Sequence, residues 1–146
     1  MDVHAALDAG CDADDLFGLV DDLGRYPDWI DLVHRAERVE ADPPTWHIEL
    51  RARVGPLARS KRLRMVRTEH SPADRVVVFE RHEADGRRHS PWVLRATVGE
   101  GAGHSALNMH LHYGGGLWTG GVLERVLAEQ ITNGRERLVA LVRQTH

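Results

Sequence analysis

Arg67 is the residue whose type and position point most directly to chemistry. It follows Met65 by two positions in the alternating segment 61–69, so a strand there places both side chains on one face. An unpaired charge on a buried face costs several kcal/mol, and the guanidinium therefore needs a partner. Two partners stay open: a helix carboxylate such as Glu124 or Glu129, or a carboxylate, enolate or phenolate of a ligand held by the guanidinium fork.

Other side chains are candidates for supporting roles. Arg81 lies near a strand end beside Ser90, and its long side chain is expected to reach solvent at the mouth of any cavity. General acid–base catalysis needs a titratable group within hydrogen-bond reach of a substrate. Tyr113 and Tyr26 are the candidates for that role, and both positions also suit packing residues.

His110 and His112 project from one face of a predicted strand and raise the question of a metal site. The predicted sheet gives them Val93 and Pro91 as cross-strand neighbours and brings no third histidine or carboxylate close. A zinc site requires three or four ligands. The sequence therefore predicts no metal, and it contains no cofactor-binding motif.

The composition excludes several classes of protein. The chain has 146 residues, with 19 basic and 22 acidic side chains and a net charge of -3, so no excess of positive charge attracts nucleic acid. The one cysteine, Cys11, permits no internal disulfide, which favours a reducing compartment. No apolar stretch reaches the length of a transmembrane segment. We expect a single cytoplasmic domain over 1–146 and make no prediction of its oligomeric state.

Two regions have the periodicity of amphipathic helices. The first covers 11–23, with Asp12 as its cap and Gly24 as its stop, and a further short helical turn follows it. The second is a long helix over 117–143, which Gly134 is expected to weaken or bend.

Between these helices the period changes to two. It predicts an antiparallel meander of six strands near 33–41, 46–54, 61–69, 75–83, 88–98 and 105–113. An Asp85-Gly86 hairpin, a four-residue loop over 100–103 and two further turns set the register. The predicted opposed pairs are Leu50 with Met65, Met65 with Phe79, Arg67 with Val77, Phe79 with Trp92, Leu94 with Met109 and Trp92 with Leu111. All of these hairpins agree on one apolar face, which the last helix must cover.

Two motifs carry a resemblance to a known family. They are Leu16-Phe17 followed by the run DLGRYPDW at 22–29, and the stretch YGGGL at 113–117 ahead of the last helix. With the order of elements, they resemble the START-like helix-grip (SRPBCC) superfamily and, within it, the polyketide cyclase/dehydrase family, over nearly the whole chain. The resemblance implies an α+β fold with a curved antiparallel sheet of six to seven strands wrapped around a long C-terminal helix, and two short helices after the first strand.

The resemblance also implies a mostly apolar cavity between the sheet and the last helix. Its ligand would be a small hydrophobic or amphipathic molecule such as a polyketide, lipid or isoprenoid. The alternative is that the same apolar residues form a filled core. The residues expected to bind the ligand are Leu50, Met65, Phe79, Arg81, Trp92, Leu94, Met109, Leu111, Leu123, Leu127 and Ile131.

Three functions stay open at this point. The leading one is ligand binding, with Arg67 orienting a polar group. The second is a cyclase/dehydratase, because Arg67 lies where the resemblance places the cavity arginine of aromatase/cyclases; there it would stabilise an enolate, with Tyr113 as the other catalytic residue. In that pattern the residue two positions before the arginine carries a hydroxyl, and this sequence has Met65 there instead. The third is a protein-interaction module with a filled core, acting through its exposed sheet face or an exposed Trp29 or Trp118.

Overall fold

A seven-stranded antiparallel sheet and a long final helix form the framework of the structure. The computed structural model describes residues 2–54, 56–101, 104–114 and 122–144. The strands are β1 (Asp2–Ala9), β2 (Val33–Val39), β3 (Thr45–Val54), β4 (Leu57–Ser71), β5 (Val76–Arg81), β6 (Trp92–Gly101) and β7 (His104–Tyr113). The helices are α1 (Ala13–Val20), a 3-10 helix (Leu23–Asp28) and α2 (Val122–Gln144). This arrangement confirms the helix-grip α+β fold.

The first strand of the sequence lies at one edge of the sheet and the second lies at the other. The spatial order is β1-β7-β6-β5-β4-β3-β2, and every neighbouring pair is antiparallel. The strands from β2 to β7 therefore form a meander, and β1 joins it beside β7. Among the described residues, no helix combines the length and apolar character that a membrane span requires.

Local capping explains why the predicted helix over 11–23 is two helices. The Asp12 side chain accepts hydrogen bonds from the backbone N–H groups of Asp14 and Asp15, which confirms it as the N-cap of α1. Asp22 then caps the 3-10 helix by accepting from the Gly24 N–H at 2.8 Å. The two caps lie ten positions apart, and α1 ends at Val20 between them.

The predicted strand pairs are wrong in register but correct in face. Met65 pairs with Trp46 and Arg81, Leu50 pairs with Lys61, and Leu94 pairs with Phe79 and Leu111. Arg67 pairs with Phe79 instead of Val77, and Trp92 pairs with Tyr113 instead of Leu111. For each of these predicted pairs the correction is an even number of residues, so the side chains named here keep their face.

The turns explain these shifts. Asp85-Gly86 is not a two-residue hairpin, because β5 ends at Arg81 and a ten-residue connection over 82–91 precedes β6. The loop between β6 and β7 is shorter than predicted, since Gly101 already pairs with His104. A bulge between Arg67 and Glu69 adds a further offset in β4.

One half of the sheet's inner face is filled by side chains. There α1 packs against β6 and β7 with Leu16, Phe17 and Val20 buried. Phe79 is fully buried and meets the ring of Trp46 edge to face, with 5.6 Å between ring centroids. The other half is covered by the 3-10 helix and α2.

The glycine inside α2 marks a close approach to the segment after the 3-10 helix. A Cβ atom at Gly134 would overlap the carbonyl oxygen of Trp29. Trp29 is fully buried, so the expectation that it is exposed for a partner is wrong; Trp118 lies outside the described residues. The helix continues through Gly134 to Gln144, and the glycine lets it pack closely against the segment that contains Trp29.

Replacing this glycine tests the close approach. Gly134→Ala should lower the free energy of unfolding by about 1 to 3 kcal/mol, because the cost of overpacking exceeds the gain in helix propensity. The matched control is Gly18→Ala in α1, where nothing lies within 4 Å of the added Cβ. This control should stabilise the protein by about 0.5 to 1 kcal/mol. Urea unfolding measures both, and a stabilised Gly134→Ala variant would contradict the packing described.

Candidate ligand-binding cavity

A cavity of about 90 Å³ lies between the unfilled half of the sheet, the 3-10 helix and α2. Strands β1, β2, β3, β4, β6 and β7 contribute to its wall, together with the 3-10 helix, the segment that follows it and α2. Eight residues predicted to bind a ligand lie on this wall: Leu50, Met65, Trp92, Leu94, Met109, Leu111, Leu127 and Ile131. The sheet and α2 therefore bring most of the predicted set together.

Nine wall residues were not predicted as ligand-binding residues. They are Val3, Ala5, Leu23, Tyr26, Ile30, Leu32, Val33, Ile48 and Leu63. Two signals in the sequence indicate part of this set. Alternate residues from Val3 to Ala9 are apolar, which is the pattern of a strand, and Leu23, Tyr26 and Ile30 follow helical spacing.

Other predicted residues lie away from the wall. Phe79 is fully buried behind the wall, where its ring contacts those of Trp46 and the wall residue Tyr26. Tyr113 is buried beside Trp92, with 5.2 Å between the ring centroids. Leu123 lies in α2, and its side chain is outside the described part of the structure.

Arg67 has a partner that neither sequence interpretation named. Its Nη1 donates a hydrogen bond to the backbone carbonyl oxygen of Asp21 at 3.1 Å. That carbonyl follows the last residue of α1, where the helix dipole attracts a cation. His70 contacts the carboxylate of Asp21 at 2.9 Å, so two side chains of β4 hold this helix end. Arg67 is half-buried and is not among the described residues that line the cavity.

Arg81 is enclosed by the 82–91 connection instead of reaching solvent. Its side chain is 9% exposed, and its Nε donates to Glu83 at 2.9 Å. Its Nη1 donates to the carbonyl oxygen and the hydroxyl of Ser90 at 3.2 and 3.3 Å. The expectation of a two-residue hairpin left out this connection, and it is the connection that supplies both partners.

Tyr26 is the polar side chain of the cavity wall, and its hydroxyl is already bonded. It donates to the carbonyl oxygen of Val20 at 2.8 Å. Burial raises the pKa of Tyr26 far above its usual range, and the charges of Asp21 and Asp22 raise it further. The phenol therefore stays protonated and bonded to the end of α1, so it is not available as a general acid or base.

The other described wall side chains are apolar, apart from the indole nitrogen of Trp92, which is buried. A cavity of this kind gains binding energy from apolar surface that a ligand removes from water. It offers no acid, base or nucleophile among the described side chains. Its arrangement suits binding of a hydrocarbon group and does not supply the groups that proton transfer requires.

The two histidines of β7 do have an acidic neighbour, so the expectation that none converges on them is wrong. Asp2 Oδ1 accepts from His110 Nε2 at 2.8 Å and from His112 Nδ1 at 3.1 Å. The predicted neighbours came from β6, whereas Asp2 and His4 come from β1 on the other side of β7. Within the described ranges, no group of three histidine, cysteine or carboxylate side chains has an arrangement that could hold a metal ion.

The fold and the cavity agree with the family that the sequence matches. A family model described as polyketide cyclase/dehydrase and lipid transport matches residues 2–143. The chain belongs to this family. No curated protein matches the sequence.

Solved structures share the fold of this polyketide cyclase/dehydrase family member. A START superfamily protein from Mycobacterium smegmatis is 16% identical, with a TM-score of 0.66 over 99% of both chains. The Zhui aromatase/cyclase from a Streptomyces species is 14% identical, with a TM-score of 0.63 over 99% of this chain and 94% of its own. A protein from Thermus thermophilus is 12% identical, with a TM-score of 0.70 over 97% of this chain and 99% of its own. Identities this low show the fold alone.

Removing the Arg67 guanidinium tests its role at the end of α1. Arg67→Ala should lower the free energy of unfolding by about 1 to 2 kcal/mol, because a charge-assisted hydrogen bond to a helix end is lost. The matched control, Arg62→Ala, removes an exposed guanidinium from the same strand and should change stability by less than about 0.5 kcal/mol. Chemical denaturation measures both, and an unchanged stability of Arg67→Ala would contradict the capping role.

The pH dependence of the free energy of unfolding in acid tests the hydrogen bonds of Asp2. The hydrogen bonds from His110 and His112 lower the pKa of Asp2 below its ordinary value of 3.8. The carboxylate therefore stabilises the folded state above pH 3.8, and this contribution disappears as the pH falls through the lower folded-state pKa. In urea unfolding, wild type should exceed Asp2→Asn in stability at about pH 5, and the two should converge near pH 2. The difference at the higher pH should vanish when both histidines are replaced by alanine.

Proposed function

We propose that this protein binds a small apolar molecule in the cavity between its sheet and α2. The observation that carries the proposal is the chemistry of the wall. Its described side chains are apolar except for the Tyr26 hydroxyl, which is bonded to Val20, and the indole nitrogen of Trp92, which is buried. Ligand sites in proteins are usually concave and mostly apolar, and this cavity has that character. The description of the family, which includes lipid transport, supports the same class of ligand.

The size of the cavity narrows the class of ligand. Its volume of about 90 Å³ is smaller than the roughly 300 to 1,000 Å³ of sites for drug-sized ligands. It is also smaller than an engineered apolar cavity of about 150 Å³ that binds benzene. Met65 and Met109 line it, and their unbranched side chains have several rotamers with which to make room. We expect a ligand, or the inserted part of one, no larger than a single ring or a short branched chain.

The cyclase/dehydratase alternative has support from the family description and from the Zhui aromatase/cyclase. The described wall favours binding over catalysis, because it carries no free group for proton transfer. The Arg67 guanidinium, which would stabilise an enolate, donates instead to the end of α1. The cavity itself favours both of these functions over an interaction module with a filled core.

Filling the cavity from an edge strand tests the proposal. Ala5 lies on the wall, whereas its neighbour Ala6 is exposed on the opposite face of β1. Ala5→Leu should place a larger side chain in the cavity and weaken binding of toluene at least tenfold, and the matched control Ala6→Leu should bind as wild type does. Methyl NMR of ¹³C-labelled methionine follows the titration, because Met65 and Met109 lie on the wall.

Either of two outcomes would overturn the proposal. Wild-type protein that shows no saturable shift of either methionine signal with toluene would lack the site. Equal binding by wild type and Ala5→Leu would place the bound ligand somewhere else. Circular dichroism shows that both variants are folded before they are compared.

A further inference from the structure

We infer that the cavity selects uncharged ligands and rejects a carboxylate of the same skeleton. This inference rests on the proposed function and names the ligand class of that site. It departs from one of the two sequence interpretations, in which an arginine on the inner face would hold an anionic group of the ligand.

The two arginines predicted on the inner face are already paired. Arg67 donates to the carbonyl oxygen of Asp21, and Arg81 forms an ion pair with Glu83 and two hydrogen bonds to Ser90. Neither arginine is among the described wall residues. Lys61 also lies on this face, opposite Leu50, and it too is not among the described wall residues. A ligand carboxylate enclosed by the described wall would therefore have no cation beside it.

The backbone of the four inner strands of the wall does not offer an alternative. Strands β3, β4, β6 and β7 each have a hydrogen-bonded neighbour on both sides. Their N–H groups lie in the plane of the sheet and are used in the ladders, as in the pairs of Leu94 with Phe79 and with Leu111. These four strands therefore present side chains to the cavity, and none of the described ones on the wall carries a charge; the indole nitrogen of Trp92 is buried.

The energetic consequence is a large preference for neutral ligands. A charge transferred from water to an apolar site without a partner loses its hydration and gains no replacement. The penalty for an uncompensated buried charge corresponds to a loss of at least about 100-fold in affinity. Toluene and benzoate have the same ring and similar size, so a comparison between them isolates the charge.

The experiment titrates wild type and two variants with toluene and with benzoate at neutral pH, again by methionine methyl NMR. Leu94 is a half-buried wall residue of β6, and its neighbour Val93 is half-buried on the opposite face. Leu94→Arg adds a cation to the cavity wall, whereas the matched control Val93→Arg adds it to the outer face. Wild type and Val93→Arg should bind toluene at least about 100-fold more tightly than benzoate. Leu94→Arg should reduce that ratio at least tenfold.

The outcomes separate the two proposals. Wild type that binds benzoate as tightly as toluene overturns the selectivity and leaves the apolar site in place. Wild type that binds neither probe overturns the proposed function and the selectivity together. A folded Leu94→Arg variant with the wild-type ratio also overturns the selectivity argument, since the wall charge would then have no effect. If circular dichroism shows that this variant is unfolded, the ratio measured on wild type decides alone.

Discussion

The rest of the structure depends on the need to cover one apolar face of a seven-stranded sheet. Side chains alternate along every strand, so the inner face is continuous from β1 to β2. The helices α1 and α2 cover this face in different ways. The short helix α1 inserts bulky side chains and fills its half, and α2 spans the other half. The cavity lies where the covers are α2 and the 3-10 helix instead of α1, and the Gly134 approach to Trp29 fixes how closely α2 lies against the segment after the 3-10 helix.

The sequence could predict which face each strand residue occupies, because face depends only on whether a position is odd or even relative to its neighbours. Register depends on the lengths of the turns, which composition alone does not determine. Asp85-Gly86 has the composition of a tight hairpin, yet it lies within a connection of ten residues. The errors in register are even numbers, so Leu50, Met65 and Leu94 still lie on the cavity wall.

The roles of the arginines could not be predicted in this way. Arg67 is held by a backbone carbonyl, and a carbonyl is present at every residue, so composition gives no sign of which one accepts. Arg81 pairs with Glu83 through a loop whose path depends on the true register. The sequence indicates that a charge on the inner face needs a partner, which the protein or a ligand could supply, and it could not indicate that the partner of Arg67 is a backbone carbonyl.

The position of β1 beside β7 has a consequence for how the chain folds. Val3 pairs with Leu111 and Ala5 pairs with Met109, and all four side chains line the cavity. These contacts join residues more than one hundred positions apart, so they belong to the class of long-range pairings that slows folding. During synthesis, β1 leaves the ribosome before β7 exists to receive it. This side of the cavity therefore cannot close until β7 has been made, and any compact state formed earlier lacks that wall.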